Sequence, residues 1–491
     1  MAERPTVTSR SEKSAEAVVV ACKGRRAERV GEPTTMSLGS AVHQKPGPPG
    51  RKAGGRGEAK PEALRDEAQP ARGGIEGSGR DDLLMQALAS ANMAMAWKRV
   101  KANRGSAGVD GRTIAETAAY LGTHWPRIRE ALLNGSYRPE PVRRVQIPKS
   151  GGGMRELGIP TVTDRLIQQA LLQVLQPKID PTFSEHSYGF RPGRRAHDAV
   201  LNARHYVQDG YRVVVDVDLE KFFDRVNHDI LMDRLSRRID DKAVLRLIRR
   251  YLVAGIMDGG VVMQRYEGTP QGGPLSPLLA NELLDEVDRA LETRGHRFVR
   301  YADDCNVYVR SRQAGERVLD GLRRLYERLH LKVNEAKTAV APATGRKFLG
   351  YTLWRSAGDR IKCAVARKAL DTYKQRIRQL TRRSGGRSLP EVVERLRTYM
   401  PGWKGYFQLA QTPKVFRELD EWLRHRLRAL QLKHWRRGTT IYRELLALGA
   451  SEQDAQRIAA NSRRWWRNSC VALNRVMPIA YFDRLGVPRL S

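Results

Sequence analysis

Apolar positions in this chain change period several times, and each change marks an element. From Asp81 they recur at helical spacing, with Leu84, Leu88, Met95 and Val100 among polar neighbours, so a helix is expected there. Val142-Arg-Arg-Val-Gln-Ile-Pro-Lys is instead a strand-like run that meets a Gly151-Gly-Gly turn and a second strand, Met154-Arg-Glu-Leu-Gly-Ile-Pro, which together predict a β-hairpin. Helical spacing returns over 161–177 and 194–209. Arg212-Val-Val-Val-Asp-Val-Asp-Leu is β-branched and has the length of a buried strand. Helix is expected again over 228–254 and 274–294. His296-Arg-Phe-Val-Arg-Tyr-Ala-Asp-Asp-Cys-Asn-Val-Tyr-Val-Arg reads as two strands around a tight acidic turn. Beyond Leu349-Gly-Tyr the pattern is helical and basic, and a boundary is expected near residue 361.

Residues 1–80 carry no such period. They are rich in Gly, Pro, Ala, Arg and Glu, and predict a disordered basic extension. The expected organisation is therefore 1–80 as that extension, 81–360 as one mixed α+β unit, 361–440 as a helical unit and 441–491 as a basic tail.

Charge narrows the function. The chain has 491 residues and a formal net charge of +34, with 88 Lys and Arg against 54 Asp and Glu. Residues 361–491 alone hold 28 basic and 10 acidic residues. A polyanion partner, and nucleic acid first among these, is the reading such a field supports. The four cysteines (Cys22, Cys305, Cys363, Cys470) stand far apart without a Cys-x-x-Cys pair, which argues against a disulfide framework and a cysteine-based zinc module. No apolar run approaches the roughly 20 residues needed to span a bilayer, and no signal-peptide core is seen. No membrane partner and a cytoplasmic location are expected, with association to a bacterial nucleoid as an alternative.

The chemistry centres on carboxylates. Asp303 and Asp304, adjacent at a hairpin tip, repel each other unless a cation compensates them. Asp216 and Asp218, two apart on a strand, share one face. If that strand neighbours the hairpin, three or four carboxylates converge, a donor set suited to two Mg²⁺ ions in phosphoryl displacement. Surface turns that happen to be acidic are the alternative.

Tyr301-Ala-Asp-Asp resembles the Tyr-x-Asp-Asp box of reverse transcriptases. The resemblance continues in order with Leu157-Gly-Ile-Pro, Ser187-Tyr-Gly-Phe-Arg-Pro, Asp218-Leu-Glu-Lys-Phe-Phe-Asp-Arg-Val-Asn-His, Gly268-Thr-Pro-Gln-Gly-Gly-Pro-Leu-Ser-Pro-Leu-Leu-Ala-Asn and Phe348-Leu-Gly-Tyr. Trp403-Lys-Gly-Tyr-Phe, Leu430-Gln-Leu-Lys-His-Trp-Arg-Arg and Pro478-Ile-Ala-Tyr-Phe extend it to the C-terminal part. By these motifs the chain is similar to group II intron reverse transcriptase/maturases, in a form without the C-terminal endonuclease domain.

That resemblance implies a right-hand polymerase: α+β fingers and palm with an antiparallel sheet over 81–360, a helical thumb or maturase domain over 361–440, and a basic C-terminal tail. It implies RNA-directed DNA synthesis from dNTP substrates at a two-ion Mg²⁺ site held by Asp218, Asp303 and Asp304, with Asp216 as runner-up to Asp218. Lys337 resembles the lysine that protonates leaving pyrophosphate. Lys149 and Arg155 match the triphosphate clamp, Phe223 the residue beneath the incoming sugar, and Gln271 and Gly272 the residues against the nascent base pair. Arg191 could touch template or brace the fingers. In the C-terminal part, Arg436, Arg437, Arg463 and Arg464 are the candidate RNA contacts, interleaved with aromatics suited to stacking. The partners implied are a group II intron RNA, an RNA template with a DNA primer and a target DNA, with a homodimer as one assembly. The activity implied is assisted splicing and retrohoming by target-primed reverse transcription. A domesticated reverse transcriptase in DNA repair or phage defence, and a splicing-only RNA-binding maturase, are the alternatives.

Overall fold

A computed structural model describes residues 82–148, 154–258, 261–263, 267–269, 272–469 and 472–491. The expected extension at 1–80 and the candidates Lys149 and Gln271 lie outside these residues.

The mixed helix and sheet expected from the patterning is present. Val142–Pro148 (β1) and Met154–Ile159 (β2) form the first hairpin, in antiparallel register from Arg143 opposite Ile159 to Pro148 opposite Met154. Ile256–Asp258 (β4) then pairs parallel to β1 and antiparallel to Val261–Met263 (β5), completing a sheet of order β2-β1-β4-β5. These two strands were not legible in advance: three residues are too few to show a period. The expected helix over 228–254 is two, His228–Ser236 and Lys242–Val253. The break has a local cause, since Asp241 accepts the amides of Ala243 and Val244 and so caps the second helix.

The central sheet runs β6-β7-β3-β8, antiparallel throughout: Arg297–Tyr301 (β6), Asp304–Val309 (β7), Val213–Val217 (β3) and Ala339–Pro342 (β8). Because side chains alternate along a strand, this sheet separates two hydrophobic cores. Val215, Val217, Phe298, Cys305 and Val307 pack on one face with Leu171, Leu283 and Leu322 from helices Val162–Ile179, Ser276–Thr293 and Arg312–Arg328. Val214, Val299 and Tyr308 face the other way, toward helix Ala196–Gln208 and a second core.

That second core continues into the C-terminal half. It includes Tyr351 and Cys363 from a three-stranded sheet of Lys347–Phe348 (β9), Tyr351–Arg355 (β10) and Ile361–Val365 (β11), and Tyr373, Trp403, Leu423 and Leu430 from the helices that follow. The β10–β11 pairing straddles residue 361, and the first helix beyond it starts at Arg367. Residue 441 falls inside helix Gly438–Ala447. Among the described residues no helix is long and apolar enough to cross a membrane.

Candidate active site

The turn that carries Asp303 is held from three sides. Tyr301 pairs with Asp304, leaving Ala302 and Asp303 as a two-residue hairpin loop, and Ala302 takes φ +57°, as a twist-matched turn demands. Ser187-Tyr-Gly runs beside β6: Arg300 N–H donates to the His186 carbonyl and Tyr188 N–H to the Arg300 carbonyl, each at 2.9 Å. This brings Gly189 flat against the turn, where a Cβ would stand 2.2 Å from the Ala302 nitrogen.

Beneath the turn lies Arg300, whose side chain is fully buried. Its guanidinium grips Asp288 at both oxygens (Nε to Oδ1 2.8 Å, Nη2 to Oδ2 2.5 Å), and Nη1 donates to Asn281 Oδ1 (2.9 Å) and to the Ala302 carbonyl (3.0 Å). Asn281 in turn donates to the Gly189 carbonyl at 2.9 Å. Helix Ser276–Thr293 thus fixes the turn through buried, charge-assisted bonds. Sequence reading missed Arg300, Asp288 and Asn281. The signal was an arginine between the apolar Val299 and Tyr301 of β6.

Asp216, Asp218 and Asn306 complete one polar face. Val217 stands opposite Cys305 and Asp216 opposite Asn306, so the register continued by one residue brings Asp218 against Asp304. The two candidates for first metal ligand differ in their surroundings. Asp216 is engaged by Arg346 Nη2 at 2.9 Å and by the Asn306 amide at 3.0 Å. Burial pushes its carboxyl up to about 6, against the pull of Arg346 and with a further push from Asp218. Asp218 is buried too, but its Oδ1 has no hydrogen-bond partner and faces the Lys337 ammonium at 3.5 Å. Its backbone is pinned instead: the N–H donates to Thr338 Oγ1 and the carbonyl accepts from Asn334.

Among the described residues no three acidic, histidine or cysteine side chains close around a common point as they would around a metal ion. The donor chemistry nevertheless fits a hard cation, with carboxylates on adjoining strands and a buried Asp218 oxygen that makes no hydrogen bond and has a lysine ammonium 3.5 Å away.

A second group of candidates meets beside this face. Phe222 is buried, whereas Phe223 is partly exposed, their rings 5.0 Å apart and nearly perpendicular. The glycine-rich loop docks on that segment: Thr269 N–H donates to the Phe223 carbonyl at 2.7 Å, and Gly268, at φ +89°, leaves no room for a Cβ, which would meet the same carbonyl at 2.9 Å. Gly272 lies against β2, its absent Cβ 2.6 Å from the Gly158 carbonyl. Arg155 sits on β2, partly exposed.

Arg191 is a brace. Its buried guanidinium donates to Asp180 Oδ1 (3.1 Å) and to the carbonyls of Asp180 (2.7 Å) and Ser187 (3.1 Å), leaving it no role as an open template contact. Arg436, Arg437, Arg463 and Arg464 are all exposed. Of the C-terminal aromatics, Trp403 and Tyr406 are core, while Trp466 is 44% exposed and stacks on His425 at 3.7 Å.

Residues 147–353 match the family described as reverse transcriptase (RNA-dependent DNA polymerase), and residues 370–447 match the group II intron, maturase-specific domain. Protein YkfC of Escherichia coli is 34% identical over 288 residues, 50% of this chain and 76% of that one. The group II intron-encoded protein LtrA of Lactococcus lactis is 41% identical over 164 residues, 33% of this chain, but the match spans only 27% of LtrA. A solved telomerase from Candida albicans, in complex with a fragment of telomeric RNA, is matched at TM-score 0.37 and 13% identity over 72% of this chain and 69% of that one. The ordered motifs, the two domain matches and the E. coli relative together show that the chain belongs to the group II intron reverse transcriptase and maturase family.

Proposed function

We propose that this chain is an RNA-directed DNA polymerase that also binds a group II intron RNA, assisting its splicing and its return to DNA by target-primed reverse transcription. The observation that carries the polymerase reading is the strand register that sets Asp218 against the Tyr301-Ala-Asp-Asp turn, with a buried Asp218 oxygen that makes no hydrogen bond and has the Lys337 ammonium 3.5 Å away. In right-hand terms, 81–360 would be fingers and palm, 361–440 the thumb or maturase unit and 441–491 the basic tail.

Asp218, Asp303 and Asp304 would hold the Mg²⁺ ions, which when bound neutralise charge on the triphosphate and acidify the primer hydroxyl. In the reaction the primer 3′-hydroxyl gives up its proton to solvent water as its oxygen attacks the α-phosphorus of the dNTP, the bond to the β-phosphate oxygen breaks, and pyrophosphate leaves. Lys337 supplies the proton that pyrophosphate takes up, a general-acid role that its approach to Asp218 supports. Arg155 and Lys149 clamp the triphosphate, Phe223 excludes a 2′-hydroxyl, and Gln271 and Gly272 receive the nascent base pair. The exposed arginines Arg436, Arg437, Arg463 and Arg464 contact intron phosphates.

Two variants of the full chain separate these roles. Asp303→Ala/Asp304→Ala should reduce Mg²⁺-dependent primer extension on an RNA template by orders of magnitude while intron RNA binding and splicing assistance persist, because group II splicing chemistry belongs to the RNA. Neutralising the four arginines should weaken RNA binding and flatten its salt dependence. Undiminished extension in a folded double-aspartate variant would overturn the polymerase assignment, and unchanged RNA affinity and salt slope would overturn the RNA-contact role.

A further inference from the structure

At the end of the β6–β7 hairpin opposite the Ala302-Asp303 turn lies a half-open groove of about 760 Å³ between the hairpin and helix Arg312–Arg328. Arg297, at its edge, is four residues and therefore about 13 Å along the strand from Tyr301, so this is not the polymerase site. The floor is apolar, formed by Leu291, Leu322 and Leu325. Around it stand six exposed arginines, Arg294, Arg297, Arg310, Arg317, Arg324 and Arg328, and no aspartate or glutamate lines it.

The charge is not the ordinary solvated surface of this helix. On its other faces Arg312 pairs with Glu316 at 3.0 Å, and Arg323 with Asp320 and Glu335, each at 2.7 Å. Arg317, Arg324 and Arg328 follow each other at helical spacing on the groove side, and among the described residues none of the six rim arginines has a carboxylate partner. The three span about 16 Å along the helix, a line longer than one triphosphate and suited to a strand of phosphates. Between Arg317 and Arg324 on that face sits Gly321, where a Cβ would meet nothing, so the missing side chain deepens the groove. Arg310 lies over the Tyr211 ring at 5.0 Å, putting a guanidinium and an aromatic edge at one wall.

We propose that this groove binds a single-stranded segment of RNA, its phosphates on the arginine rim and a base on the apolar floor beside Tyr211. A basic track with an apolar, aromatic-edged floor is how single strands are held without sequence readout. The site is separate from the four C-terminal arginines and does not depend on the polymerase reading.

The test uses the full chain and a single-stranded oligoribonucleotide carrying 4-thiouridine. Irradiation should crosslink it to peptides containing Tyr211 or His296. Arg324→Gln/Arg328→Gln should weaken binding about tenfold and lower the log–log salt slope by about 1.4, at about 0.7 per lost single-strand phosphate contact. Gly321→Leu should also weaken binding, by filling the groove, while its better helix propensity keeps the melting temperature at or above that of the parent. Extension of a pre-annealed primer on a short template should be unchanged in both variants. RNA crosslinked elsewhere but never to these peptides, or an unchanged affinity and slope in the double variant, would overturn the proposal. So would loss of the groove adducts to a competing free nucleoside triphosphate while the RNA stays bound elsewhere, since the occupant would then be a nucleotide.

Discussion

Gly189 and Ala302 are in backbone contact: a methyl group on Gly189 would come within 2.2 Å of the Ala302 nitrogen and 2.9 Å of the Tyr301 carbonyl carbon. Backbone cannot yield as a flexible side chain can. Gly189→Ala should therefore push the acidic turn out of register, cost about 1–3 kcal/mol of stability as overpacking does, and reduce primer extension far more than that loss of folded protein explains. A melting curve and an extension assay on the same preparation check this, and full activity in the variant would show that the turn tolerates displacement.

The two strand aspartates should separate by substitution. Asp218→Asn replaces the carboxylate whose buried oxygen makes no hydrogen bond, and DNA synthesis should fall about 100-fold or more. Asp216→Asn breaks the charge pairing with Arg346 and should act chiefly on stability, by about 1–3 kcal/mol. Denaturant unfolding and extension rates for both variants decide it. The opposite ranking in activity would make Asp216 the ligand.

Neighbouring phenylalanines should also behave differently. Phe222 is 2% exposed, and Phe222→Ala should cost about 3–5 kcal/mol as a core deletion. Phe223 is only partly covered, so Phe223→Ala should destabilise less and raise ribonucleotide incorporation. Single-nucleotide extension with dNTP and rNTP measures the discrimination, and an unchanged ratio would place the sugar gate elsewhere.

Glu282 gives a pH signature. Burial pushes its carboxyl from 4.5 up to about 7, with Arg238 opposing and Asp285 adding to the rise. The native state therefore keeps this proton up to about pH 7, whereas the unfolded chain loses it near 4.5. Stability from this group is complete below 4.5 and is lost as pH rises toward 7. Glu282→Gln does not titrate, so its stability relative to the parent should improve between about pH 5 and about pH 8, read from urea midpoints. A constant difference across that range would show that Glu282 ionises normally.

Local pattern alone determined much of this protein. The β-branched run of β3, the strands around Asp303 and the hairpin at 142–159 follow from residue types, run lengths and turn residues that each segment carries within itself, and the ordered motifs point to the family without any coordinates. What a carboxylate faces is not local. Asp216 and Asp218 share a face and a sequence neighbourhood, yet Arg346 engages one and Lys337 approaches the other, both arriving from more than a hundred residues away. The same holds for Arg191, whose partners at Asp180 and Ser187 make it a brace, and for Arg300, whose charge is tolerable in a core only because Asp288 and Asn281 come from a helix that packs beneath it. A period reports which side of an element is buried; the partners that set a side chain's charge, pKa and role are chosen when distant elements pack, and only the tertiary structure decides them.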